Sequence, residues 1–330
     1  IFSARNRNSP PRPPPPGTFV KSQLLVTGPL MPDTLAQLDA AYRVYRYDLA
    51  PDKERLIADL APTLTAIATR GDYALPGALM RRFPRVRLIA SSGAGYDGVD
   101  IDAARELGIT VTNTPGPVAE CVADMAWFLI IATVRRLLVN DRYVRAGNWL
   151  KAPVMLTDKV QGERLGIVGL GRIGKAIARR GEAFNMTIAY HGRHRQPDAG
   201  YRYYDNLVDL ARESRILVCA LPGRNETRGL IGKAVIDALG PHGYFINVSR
   251  GTTVDEPYLV DALVNKRLGG AGLDVFADEP RVPDALFALD NVVLQPHAGS
   301  GTLPTRNAMG QILVDNLAAF FAGRPVLTPV

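Results

Sequence analysis

The run Gly169-Leu170-Gly171-Arg172-Ile173-Gly174 follows a short apolar stretch, Leu165 to Val168, and precedes a helix-forming stretch, Lys175 to Phe184. Glycines collect in many turns, so G-x-G-x-x-G is informative only between a strand and a helix. That setting is met here. Gly169 permits the tight turn, Gly171 lets backbone approach a pyrophosphate, and Gly174 allows helix to pack closely on strand. The helix N-terminus, starting at Arg172 and Ile173, offers unpaired N–H groups to the anion. The expectation is an α/β unit that binds a dinucleotide.

The rest of the chain agrees with such a unit and adds a second. Strand-like runs recur at Gln23–Val26, Arg43–Tyr47, Thr65–Thr69, Arg87–Ala90 and Thr110–Thr112, with helical periodicity between most of them, as in Asp52–Leu60. Alternating β and α units imply parallel sheets covered on both faces. Pro117 to Val139 reads as one long helix, apolar around most of its surface, with Pro117 near its first turn. Leu303 to Phe321 reads as a final helix. The fold class expected is therefore α/β, with two Rossmann-like or flavodoxin-like domains of parallel sheet and a cleft between them. Residues 21–113 plus 302–330 would form the substrate domain, and 114–301 the dinucleotide-binding domain. Residues 1–20 are proline-rich, with almost nothing to bury, and are expected to be a disordered extension.

Composition narrows the function classes. At 330 residues, 47% apolar and 22% charged, the chain suits two soluble domains. No apolar run reaches the ~18 residues that cross a bilayer, so no membrane partner is expected. Cys121 and Cys219 lie far apart and fit reduced thiols in a cytoplasmic protein. None of the four histidines pairs with cysteine or carboxylate at zinc-ligand spacing, and no metal is expected. The net charge of +7 raises the question of nucleic acid, but the basic residues are scattered and form no binding module. No nucleic-acid partner is expected.

The strand after the glycine turn, Thr187 to Tyr190, should end beside the adenosine ribose. A site selective for NAD places a carboxylate there, about 20 residues after the first glycine. This chain instead reads His191-Gly192-Arg193-His194-Arg195, with no acid before Asp198. Arg193 and Arg195, beside Gly192, suit a 2′-phosphate, which a carboxylate would repel. NADPH is the expected cofactor, with NAD as the second choice.

Three further residues sit where open α/β sheets place ligands, just beyond strand-like runs. Arg250 ends Tyr244–Gly251 and carries a fork suited to a carboxylate. His297 ends Val292-Val293-Leu294-Gln295-Pro296-His297 and is a natural proton donor near neutral pH. Glu279, in Gly272–Pro280, is a candidate carboxylate to orient it. Together, the segments Gly169–Gly174, Asn247–Gly251, Gly272–Pro280 and Gln295–Ser300 resemble the D-isomer-specific 2-hydroxyacid dehydrogenases, above all the glyoxylate/hydroxypyruvate reductase branch.

That resemblance spans nearly everything from about residue 22 onward. It implies that Arg250, Glu279 and His297 form the catalytic set. It makes Ser92–Asp97 a substrate loop, with Gly93, Ala94 and Gly95 holding a carboxylate through backbone N–H groups. Ser300 and Leu75 would line the substrate pocket, Leu75 limiting side-chain size alongside Tyr73 and Ala74. Asp274 would contact the nicotinamide carboxamide, and Pro222 the adenine side. Leu221, Thr227, Val248, Ser249, His297 and Gly299 complete the implied cofactor set. The activity implied is reduction of a small 2-keto acid to a D-2-hydroxy acid within a closing cleft. The alternatives are a dehydrogenase for a larger keto acid and a non-catalytic dinucleotide sensor. The apolar helix from Pro117 suggests a homodimer through the dinucleotide-binding domain, and Trp149 is open to two readings, helix-end packing or closure of a neighbouring pocket.

Overall fold

The computed structural model describes residues 21–330, so the proline-rich start lies outside the described residues. The first sheet holds β1 (Gln23–Val26), β2 (Arg43–Arg46), β3 (Ala66–Arg70), β4 (Leu88–Ser92) and β5 (Thr110–Thr112), in the order β2-β1-β3-β4-β5. The second holds β6 (Arg164–Val168), β7 (Thr187–His191), β8 (Arg202–Tyr203), β9 (Ile216–Cys219), β10 (Tyr244–Asn247), β11 (Gly270–Leu273) and β12 (Val292–Leu294). Its order is β12-β11-β10-β9-β6-β7-β8. All pairings within both sheets are parallel. Central strands such as Ile216–Cys219 and Tyr244–Asn247 are buried along their whole length, as expected where helices cover both faces.

The order of the second sheet reverses direction at β6, from which chain runs outward both ways. A reversal of this kind opens a crevice at the carboxyl ends of the strands. The glycine turn leaves β6 at that point. The final helix, Leu303–Phe321, returns to the first sheet, where Leu313 and Leu317 join Leu24, Val26, Leu88 and Ala90 in one buried cluster.

The long helix read from Pro117 to Val139 is two helices. The first, Val118–Val134, ends at Arg135, and Arg136 adopts a left-handed conformation at φ +49° before a second helix, Leu137–Arg145. Their surroundings differ. The first helix lies inside its own chain, against the helix Arg172–Ala183 and strands β10 and β11. Trp127 stacks on Phe184 at 4.4 Å, and its indole N–H donates to the Ile177 carbonyl at 3.1 Å. Most of its apolar surface is therefore covered within the chain. Phe128 is its one side chain among the exposed large apolar residues, and more follow at Leu137, Leu138, Val144, Trp149, Leu150, Met155 and Leu156.

Candidate active site

The two sides of the site differ in how they are held. Beyond β12 the chain turns through Pro296 into His297, whose backbone sits at φ +52°. Such a conformation is unfavourable for a non-glycine residue by about 1–2 kcal/mol, and the neighbouring bonds impose it. The His297 N–H donates to the Asp274 carbonyl at 2.8 Å. The N–H groups of Ala298 and Gly299 donate to the two carboxylate oxygens of Asp274, at 2.7 and 2.9 Å. Burial pushes the Asp274 carboxyl up, and these two N–H bonds offset only part of that. Its carboxylate thus braces the histidine loop directly, a role the sequence did not suggest.

Glu279 reaches the same imidazole from the loop beyond β11. Its Oε2 lies 2.8 Å from Nδ1 of His297, and its Oε1 accepts from the Phe276 N–H at 3.1 Å. Burial raises the Glu279 carboxyl, but the bonds from His297 and Phe276 outweigh it, leaving the group below the ordinary glutamate range. With Nδ1 engaged, Nε2 is the ring nitrogen left for another partner.

Arg250 follows β10 and points at the first-domain loop. Its Nε donates to Asp97 Oδ2 at 2.8 Å, with Nη2 2.7 Å from the same oxygen, and Nη1 donates to the Ser249 carbonyl at 2.7 Å. Contact with Gly95 is so close that a Cβ there would lie 1.8 Å from Nη2. Only glycine fits. Within the loop, the Gly93 N–H is taken by Thr114 Oγ1 at 2.9 Å. Among the described residues the N–H groups of Ala94 and Gly95 make no such bond, so the carboxylate donors expected at Gly93–Gly95 narrow to these two.

One cavity of about 400 Å³ is lined by Gly93, Ala94, Gly95, Ile173, Val248, Arg250, Asp274, Glu279, His297, Gly299 and Ser300. A second, about 590 Å³, shares Ala94, Gly95, Ile173, Val248 and Arg250 with it and adds Gly171, Arg172, Leu221, Pro222 and Ser249. This second space lies against the start of the helix that follows the glycine turn. A Cβ on Gly171 would face open space, and the helix Arg172–Ala183 begins without a side-chain cap, so its first N–H groups are free for an anion. Gly169, at φ +98°, makes the turn, and a Cβ on Gly174 would strike the Gly169 carbonyl oxygen at 2.1 Å.

The sequence model of the D-isomer specific 2-hydroxyacid dehydrogenase family, NAD binding domain, matches residues 127–299. The chain belongs to this family. It is 47% identical over 294 residues to hydroxyphenylpyruvate reductase of Plectranthus scutellarioides, a match covering 89% of this chain and 94% of that one. Glyoxylate/hydroxypyruvate reductase A of Arabidopsis thaliana is 46% identical over the same shares. Among solved structures, an NADPH-dependent glyoxylate/hydroxypyruvate reductase from Sinorhizobium meliloti, in complex with NADP and malonate, superposes with a TM-score of 0.87. It is 41% identical, covering 94% of this chain and 97% of that one. The protein is accordingly a nicotinamide-dependent oxidoreductase of the 2-hydroxyacid dehydrogenase type.

Not every residue expected at a family site lies in the cavities. Leu75 is a correction: its side chain is fully buried in the first-domain core, and its backbone N–H and carbonyl are bonded to Gly98 and Asp100. The chain corner that lines the cavity is Arg70, Gly71 and Asp72 instead, where Arg70 and Asp72 form a two-pronged ion pair. Tyr73 turns away beneath the Arg70 guanidinium. Thr227 lines neither cavity; its hydroxyl donates to the Pro222 carbonyl at 2.9 Å and ties down that loop. Arg193 and Arg195 are exposed at the exit of β7, beside Gly192, whose strand is joined to the glycine turn where the Gly169 N–H donates to the His191 carbonyl. Trp149 is exposed and lines neither space. Sequence reasoning missed Arg70 and Arg306, both cavity-lining. Arg70 ends a strand and could have been found by the rule that found Arg250, whereas Arg306 lies in the first turns of a helix and carries no local signal.

Proposed function

We propose that this chain is an NADPH-preferring reductase of small 2-keto acids, glyoxylate and hydroxypyruvate, forming D-2-hydroxy acids. The reading rests on one observation: a guanidinium, an imidazole–carboxylate pair and two residues with unbonded backbone N–H groups line a single cavity that shares part of its wall with a second space at the glycine turn. Arg250, with the N–H groups of Ala94 and Gly95, binds the keto acid's carboxylate. Glu279 holds the imidazole through Nδ1, and His297 gives its Nε2 proton to the carbonyl oxygen as that oxygen gains charge. The groove at Gly169–Gly174 takes the pyrophosphate, with Leu221, Pro222, Val248 and Ser249 along its wall, and Arg193 and Arg195 take the 2′-phosphate. The cofactor supplies the hydride when bound.

In this reading residues 21–113 and 302–330 form the substrate domain and 114–301 the cofactor domain. The protein is a cytoplasmic homodimer, joined through the exposed apolar segment around Leu138, Trp149 and Leu156. Turnover of NADPH and NADH against keto acids of increasing size tests the assignment. Glyoxylate and hydroxypyruvate with NADPH should give the highest kcat/KM. Faster reduction of phenylpyruvate than of glyoxylate would instead favour a larger substrate, in line with the hydroxyphenylpyruvate reductase relative.

A further inference from the structure

Arg250 presents five N–H donors in a planar fork. Asp97 faces its Nε–Nη2 edge, through Oδ2, and the Ser249 carbonyl takes one N–H of Nη1. One N–H on each terminal nitrogen is left, side by side at the tip, the geometry that a carboxylate grips with both oxygens. Asp97 comes from the substrate loop, beyond β4, whereas Arg250 follows β10 on the other sheet. The carboxylate that aims the arginine therefore belongs to the opposite domain.

The surroundings leave this pair little freedom. A Cβ on Gly95 would lie 1.8 Å from Arg250 Nη2 and 2.7 Å from Asp97 Oδ2. On the other side, a Cβ on Gly223 would lie 2.5 Å from Arg250 Cγ and 2.9 Å from Asp97 Oδ1. The pair threads between two bare stretches of backbone, one from each domain. Next to it, Arg224 Nη2 donates to the Tyr96 hydroxyl at 3.2 Å, a second bond across the same gap. The Arg250 backbone is fixed separately, its carbonyl accepting from Thr253 Oγ1 at 2.7 Å and Asn247 Nδ2 at 3.1 Å. Asp97 thus governs the direction of the fork and leaves the course of the chain alone.

We propose that Asp97 is a positioning residue for the keto-acid carboxylate: it aims the tip of the Arg250 fork from across the cleft, so that the arginine reaches its binding geometry only when the two domains meet. The proposal rests on the reading of Arg250 as the carboxylate-binding residue. Separating the domains breaks the pair and releases the fork, so substrate binding and cleft closure become one event.

The test combines Asp97→Asn, Asp97→Ala and Asp97→Glu with Arg250→Lys and the Asp97→Ala/Arg250→Lys double variant. Oxamate, an unreactive analogue of a 2-keto acid, is titrated calorimetrically, and NADPH affinity and thermal unfolding are recorded beside it. Asp97→Asn and Asp97→Ala should raise the oxamate Kd and the glyoxylate KM roughly tenfold to hundredfold. NADPH affinity and Tm should stay near wild type, and Asp97→Glu should recover part of the loss. In the Arg250→Lys background, Asp97→Ala should cost little more. Unchanged oxamate affinity in a folded Asp97→Ala variant, or an undiminished effect in the Arg250→Lys background, would overturn the proposal. If Arg250→Lys itself leaves oxamate binding and KM intact, the underlying assignment of Arg250 fails instead.

Discussion

Two side-chain pairs meet where the two cavities join, and they are assembled on different principles. His297 and Glu279 both follow strands of the second sheet, and the loop that carries the imidazole is fastened to Asp274 on the adjoining strand exit. Asp97 and Arg250 come from different sheets and meet across the cleft. The first pair is complete within the loops of one sheet. The second depends on loops of both sheets. On the proposed reading, the proton donor would be built in advance and the grip on substrate would be conditional on the two sheets' loops meeting.

If that contrast holds, perturbing the inner pair should lower kcat and spare binding, the opposite of the pattern expected at Asp97. The largest effect is predicted for His297→Ala, which should reduce kcat by about 10²–10⁴-fold while NADPH binding measured by fluorescence stays intact. Near-wild-type turnover would remove the proton-donor role. Glu279→Gln should lower kcat by about tenfold to hundredfold, the range for a lost charge-assisted hydrogen bond, with the oxamate Kd little changed. The same variant has a pH signature. Because the Glu279 carboxyl sits below its ordinary value in the folded state, its contribution to stability is present above the ordinary glutamate pKa of about 4.3 and is lost as pH falls through the lowered value. The Tm difference between wild type and Glu279→Gln should therefore be full at neutral pH and close in acid. Arg193→Ala touches neither pair and serves as the control. It should raise the KM for NADPH about tenfold and leave that for NADH and the keto acid unaltered. A shift in oxamate affinity there would blur the distinction between the two pairs.

What could be read from residues alone follows the same division. The glycine turn, His297 and Arg250 are legible because each sits close beyond a strand end, where a short local pattern and a chemical requirement coincide, whereas Glu279 lies further along the loop after β11 and is picked out by its motif. Asp97 lay within the recognised loop but acquired its partner 153 positions away, in another domain, which no local pattern encodes. Leu75 misled for a related reason. An apolar residue in a loop can face a pocket or the core, and here the isolated bridge to Val99 turns it inward. The break at Arg135 and Arg136 carries neither glycine nor proline, the usual signs of a helix end. It comes where the chain passes from the protein interior to the surface.

The return of the last helix to the first sheet has a consequence for biosynthesis. Leu313 and Leu317 fill the same cluster as Leu24 and Val26, so the first sheet lacks part of its packing until the helix Leu303–Phe321 has been made. All twelve strands among the described residues and the glycine turn precede that helix, and the second sheet can close around its own core first. The first sheet is thus completed only after the strands that follow it, and a product ending before Leu303 would expose the apolar face of β1 and β4.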